Sequence, residues 1–188
     1  MTFNIYMTGV GGQGIGMLSE VLLRAADYAG HDVKAVDTHG LAQRGGMVVS
    51  HLRMGKRIYA PLIPKGEADL AVSLERHEAF RGMIHMLKPG GVLIYYDAVW
   101  QPLSVRLGQT KTVTESDIRT YADEKGIRII PVFKPDLSDA RMQNIVTLAH
   151  IHRNQLIPEI TAAHYLQAMT DLMTERMLEK NRRIFDEA

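Results

Sequence analysis

The sequence predicts an α/β fold: a Rossmann-like, mostly parallel sheet with an inserted β-hairpin and a helical C-terminal tail. Three observations predict it. Short apolar runs alternate with stretches of helical periodicity up to about residue 137. The first such run enters a glycine-rich turn and then a helix, the opening of a βαβ unit, which builds a parallel sheet in nearly all known cases. Beyond that point no strand pattern returns. The 188 residues are therefore read as one domain, with an α/β core over 1–137 and a helical tail over 138–188.

Residues 4–8, with Ile5, Tyr6 and Met7, read as the first strand, and residues 9–14 are the turn. Over residues 15–29 Leu18, Val21, Leu22, Ala25 and Ala26 recur at helical spacing, and Gly30 supplies the residue that ends a helix. A second strand is expected over 32–36. Residues 48–53 and 57–63 are extended runs around Met54-Gly55-Lys56, which predicts an antiparallel hairpin inserted into the sheet and ended by Pro61 and Pro64. A strand over 69–73, a helix over 75–87, a turn at Lys88-Pro89-Gly90-Gly91 and a strand over 92–96 resume the alternation. Thr114 is placed as an N-cap with Asp117 as its capping-box partner, the helix runs to 125, and Gly126 stops it. A strand follows over 127–133. In the tail Ile145, Leu148, Ala149, His152 and Leu156 form one apolar stripe ahead of Pro158. Residues 162–169 and 171–185 carry further amphipathic patterns, expected to cover the sheet or a partner.

Composition narrows the function. A net charge of +1 with evenly scattered Lys and Arg gives no basic stripe for a row of phosphates, so nucleic acid is not expected as a partner. The apolar runs are far too short to cross a bilayer and the first residues lack a signal-peptide layout, so no membrane is expected and the cytoplasm is the expected location. The chain has no cysteine, so it can hold neither a disulfide nor a thiolate-ligated iron–sulfur cluster. Eleven methionines suit an adaptable core and subunit contacts.

Gly9, Gly11 and Gly14 stand at G-x-G-x-x-G spacing between strand and helix, and Asp37 ends the second strand. That is the dinucleotide fingerprint, in which backbone N–H groups face a pyrophosphate and an acid bonds ribose hydroxyls. It is equally compatible with glycines that only let the helix pack closely on its strand. A stand-alone NAD(P)-binding module or small reductase is therefore one reading, although the chain is short for a dehydrogenase's second domain.

The stretch Thr38-His39-Gly40-Leu41-Ala42-Gln43-Arg44-Gly45-Gly46 is polar, glycine-rich and too long for a tight turn. Arg44 offers a charged planar fork, Gln43 a donor and an acceptor, and His39 a nitrogen that titrates near neutrality. Such a set suits an anion or a polar edge; a solvated loop without a ligand has the same composition.

Thr8-Gly9-Val10-Gly11-Gly12-Gln13-Gly14, the stretch from Thr38 to Gly46, and Ser50-His51-Leu52-Arg53 in that order resemble the gamma subunit or domain of 2-oxoacid:ferredoxin oxidoreductases. The form of the loop is most similar to the beta subunit of the indolepyruvate enzymes. The resemblance covers residues 1 to about 144, with Asn144 and its helix at a further family position, and weakens in the tail. It implies a subunit, inactive without its partner, of an enzyme that oxidatively decarboxylates a 2-oxoacid, indolepyruvate or another aryl pyruvate. The acyl group goes to coenzyme A and two electrons pass singly to ferredoxin. It further implies that thiamine diphosphate, magnesium and the iron–sulfur clusters belong to a large partner subunit, none being held by this chain alone. No residue is assigned a catalytic role. The resemblance nominates His39, Gln43 and Arg44 as site-lining residues, and Gly9, Gly11, Gly12, Gln13 and Gly14 as an anion or partner contact.

The other histidines give no metal-ligand set. His150 and His152 are two apart on a helix and so diverge, and His77 and His85 are well separated. His51 is expected to be packed or hydrogen-bonded.

Overall fold

The computed structural model describes residues 2–39, 46–100, 105, 107, 108 and 111–188, His39 by its backbone only. Six strands form one sheet in the order β2-β3-β1-β4-β5-β6, with β1 at Phe3–Val10, β2 at Asp32–His39, β3 at Met47–Gly55, β4 at Ala68–Ser73, β5 at Leu87–Tyr96 and β6 at Arg128–Val132. All run the same way except β3, which lies antiparallel between β1 and β2. The first βαβ unit is therefore split. Its two strands are parallel in direction but are not neighbours.

The expected hairpin does not form. β3 already has a partner on each edge, so a second arm has no free edge to pair with, and Pro61 has no N–H to give. Residues 57–63 instead leave the sheet and are strapped to its face. Arg53 Nη1 donates to the carbonyl oxygens of Ala60 at 3.0 Å and Leu62 at 3.4 Å, and the Ile63 N–H donates to His51 Nδ1 at 3.2 Å. The predicted turn at 88–91 lies within β5. Ala68 pairs with Leu87 and Leu70 with Val92, so those four residues bulge out opposite Asp69, with Gly90 at φ 74°.

Helix α1, Ile15–Tyr28, ends in a Schellman arrangement: Gly30 at φ 83° donates to the Asp27 carbonyl at 2.8 Å, and His31 donates to that of Ala26 at 3.2 Å. Helix α2 is Arg76–Met86 and α3 is Glu115–Lys125. The predicted Thr114–Asp117 capping box is present in full, and Gly126 closes α3 at φ 64°. After residue 137 come a short 3₁₀ turn at Ala140–Met142 and three helices, α4 at Gln143–Arg153, α5 at Ala162–Leu172 and α6 at Glu175–Glu187.

Strand alternation sorts the core into two layers. Ile5, Met7, Leu52, Leu70, Val72 and Ile94 face α1 and the tail, while Tyr6, Ala71, Leu93 and Tyr95 face α2 and α3. α5 packs on α1, and α6 on α4. Tyr165, Ala168, Met169 and Phe185 thereby enter the same cluster as Leu18 and Leu22. His152, predicted in the apolar stripe, stacks on Phe185 at 5.6 Å and meets Tyr165 edge-on at 5.7 Å.

Candidate functional site at the glycine turn

The turn sits at the carboxyl end of β1, where open α/β sheets place their ligands. Gln13 fills it from within. Its Oε1 accepts the Val10 N–H at 2.7 Å, the side chain is 4% exposed, and its Nε2 is buried with no partner among the described residues. Two glycines are required by close approach. A Cβ at Gly9 would lie 2.9 Å from Gln13 Oε1, and one at Gly14, at φ 87°, would lie 2.6 Å from Asn144 Nδ2.

Two sequence motifs meet here. The Gly11 N–H donates to the carbonyl of Gly46 at 2.8 Å, and Val10 and His39 lie opposite Met47 and Val48 in the ladders. The polar stretch thus leaves β2 and returns on β3 beside the glycine turn. Gln43 and Arg44 lie outside the described residues, as does the side chain of His39.

Asp37 does not serve the fingerprint role. Its Oδ1 accepts from the Ser50 hydroxyl, and Ser19 and Ser50, both buried, lie 2.6 Å apart beside it. With β3 interposed, Asp37 stands two strand spacings from β1, about 9–10 Å, where a dehydrogenase has one. The acid ties α1 to β3 instead.

On the tail side of the turn lies a cleft of about 400 Å³, lined by Gly14, Met17, Met142, Asn144, Arg176 and Lys180 among others. Asn144, 6% exposed, holds the turn to α4 by donating from Nδ2 to the Gly14 carbonyl at 3.2 Å. Helix α1 points its first turn at this cleft with neither a side-chain cap nor an acid there, whereas at the start of α4 the Gln143 N–H is taken by the 3₁₀ turn and the Ile145 N–H by Asn144 Oδ1. Arg141 pairs with Asp139, holding that carboxyl down at about 2, whereas Arg176 and Lys180 have no ion-pair partner among the described residues. The uncapped start of α1 and two cations without an ion-pair partner among the described residues make the cleft suited to an anion, and its methionines suit an adaptable apolar body. Sequence reading singled out Asn144 but not Arg141, Arg176 or Lys180. Their only signal was two cations four apart on a helix, which is ordinary for a solvated face.

His51 is part of the strap on residues 57–63, and burial lowers its pKa. Among the described residues no group of three His, Asp or Glu side chains could hold a metal ion, and no helix is long and apolar enough to cross a membrane.

A split Rossmann-like sheet, with its glycine turn filled by a glutamine and its second-strand acid turned away, is not a dehydrogenase's dinucleotide domain. The chain belongs to the pyruvate ferredoxin/flavodoxin oxidoreductase family, whose profile matches residues 4–188. It is 32% identical over 185 residues to the indolepyruvate oxidoreductase subunit IorB of Archaeoglobus fulgidus, covering 96% of this chain and 90% of that one. It is 36% identical over 122 residues to the subunit IorB of Thermococcus kodakarensis, an alignment spanning 65% of this chain and 60% of the relative's length. The fold is shared with the gamma subunit of a keto/oxoacid ferredoxin oxidoreductase from Geobacter sulfurreducens, at TM-score 0.66, 21% identity and coverage of 98% and 94% of the two chains. It is also shared with part of a 2-oxoglutarate:ferredoxin oxidoreductase from Magnetococcus marinus, solved with 2-oxoglutarate, coenzyme A and succinyl-CoA bound, at TM-score 0.70 and 20% identity over 99% of this chain and 30% of that one.

Proposed function

We propose that this chain is the small subunit of a cytoplasmic 2-oxoacid:ferredoxin oxidoreductase that acts on indolepyruvate or a related aryl pyruvate. The observation that carries this reading is the near full-length match to the Archaeoglobus subunit. The enzyme would convert the 2-oxoacid and coenzyme A to acyl-CoA and carbon dioxide, reducing two ferredoxins by one electron each. A large partner subunit would hold thiamine diphosphate, magnesium and the iron–sulfur clusters, for which a chain without cysteine has no thiolate.

Residues 1–188 act in this reading as one gamma-type unit. The turn from Gly9 to Gly14 and the stretch bearing His39, Gln43 and Arg44 face the partner and line the approach to its active site. The cleft receives phosphates of coenzyme A: Arg176 and Lys180 supply charge, the start of α1 supplies N–H donors, and Met17 and Met142 give way to the rest of the molecule.

The test is to co-express the chain with its large partner and assay coenzyme A-dependent reduction of ferredoxin by indolepyruvate. Reduction that requires both chains supports the reading, and a partnered chain that never reduces ferredoxin overturns it. In the active complex, R176E/K180E is expected to raise the KM for coenzyme A about tenfold or more, the scale of one lost charge-assisted contact, with the KM for the oxoacid unchanged. An unaltered KM for coenzyme A removes the cleft from the proposal.

A further inference from the structure

On the other face of the sheet, at the start of α2, two ionisable side chains are buried together. Glu75 is 0% and His77 6% exposed. Glu75 Oε1 accepts from His77 Nδ1 at 2.9 Å and from the Trp100 N–H at 3.0 Å, and Oε2 accepts the Glu78 N–H at 2.9 Å as the cap of α2. His77 Nε2 faces the backbone N–H of Val113 at 3.2 Å. A backbone N–H can only donate, so Nε2 is bare and the imidazole proton sits on Nδ1, toward the carboxylate. The pair thereby grips the chain at two points on either side of residues 101–110 and just ahead of α3.

We propose that Glu75 and His77 form a pH-sensitive clasp, closed at both Trp100 and Val113 when the imidazole is neutral and open at Val113 alone when it is protonated. Protonation puts a hydrogen on Nε2, so that two N–H groups then point at one another and the Val113 contact becomes repulsive. The same proton strengthens the bond to Glu75, which keeps Trp100. The charged neighbours do not reverse this selectivity. Arg76 is occupied by Asp97 through two bonds of 2.6 and 2.7 Å, and Arg81 lies 3.5 Å from Glu78. The Glu78 carboxyl is raised by burial, and Tyr95 on β5 and Glu115 on α3 act on the Arg76–Asp97 pair. None of these supplies an acceptor to Val113. The consequence is local: acid releases the start of α3 from α2 while leaving the capping box of α3 and the sheet intact. Such a device changes the surface at Val113 and the start of α3 without unfolding the domain.

The experiment is amide exchange of the full chain, read by nuclear magnetic resonance from about pH 5 to 8 with each rate divided by its intrinsic chemical rate. Protection at Val113 is expected to fall about tenfold as His77 protonates, the scale of one hydrogen bond, while Trp100 changes less than about twofold. In H77Q the side-chain oxygen accepts from Val113 without titrating, so protection there should be flat across the range. Long-range nitrogen spectra of the wild type give an independent reading, with Nε2 bare at the upper end. A proton on Nε2 there, or a Val113 protection profile that His77 protonation leaves unmoved, overturns the clasp.

Discussion

Replacing Gly14 by alanine tests the tightest space around any glycine among the described residues. The backbone there is at φ 87°, which costs an L-residue about 1–2 kcal/mol. The new Cβ would also lie 2.6 Å from Asn144 Nδ2. Asn144 cannot swing away freely, because its Oδ1 accepts the Ile145 N–H at 2.7 Å while its Nδ2 holds the Gly14 carbonyl. Overpacking of this kind costs about 1–3 kcal/mol, so the sum is about 2–5 kcal/mol. For a chain of this size each kcal/mol moves Tm by about 2–4 °C, so thermal unfolding of G14A should fall by at least about 4 °C. N144A in the same background removes the collision but not the dihedral cost, so the double variant should lose less than the two single variants added together. A G14A Tm within about 2 °C of wild type, or strict additivity, would refute the reasoning.

Other expectations follow from single features. T114A breaks the α3 capping box and should cost about 1 kcal/mol in urea unfolding. Y165A empties a site 1% exposed between α1, His152 and Phe185 and should cost about 3–5 kcal/mol by the same measurement. Burial pushes Tyr95 up to about 12, so its stability contribution is whole below the ordinary 10.0 and is lost as pH rises through about 12; tyrosinate absorbance should show several groups ionising late, Tyr165 among them, and Y95F should remove one of them. Hydrogen bonds from Arg141 hold Asp139 at about 2, below the ordinary 3.8, so its contribution is present above 3.8 and lost as pH falls through about 2. Carboxyl-carbon titration should show it move up toward the ordinary value in R141A without reaching it, because the backbone N–H of residue 141 still donates to Oδ1.

Local chemistry carried much of this fold into plain view. The α1 stripe, the Gly30 and Gly126 stops and the Thr114–Asp117 box depend on residues within a turn or two of each other, so periodicity and capping reveal them. The place of β3 was hidden because strand order is a long-range matter: its alternation fits a hairpin arm and a central strand alike. The expected hairpin failed for that reason. At the site the glycines and Asp37 were legible, but the use of Asp37 was not, since a fingerprint does not register a strand interposed between acid and turn. Arg176 and Lys180 join Gly14 only through the fold of the tail.

The tail that lies on α1 also fixes a timetable. Asn144 reaches back 130 positions to Gly14, and Tyr28 bonds to Asp171, 143 positions on. The apolar stripe of α1 is made well before its cover, with more than a hundred residues between them. At about 5–20 residues per second, Leu18 and Leu22 wait on the order of ten to thirty seconds for Tyr165 and Met169. A nascent chain in that interval carries a helix with an uncovered oily side, a natural client for a holding chaperone. Slowing translation after α3 should therefore lower soluble yield more than the same delay before α1.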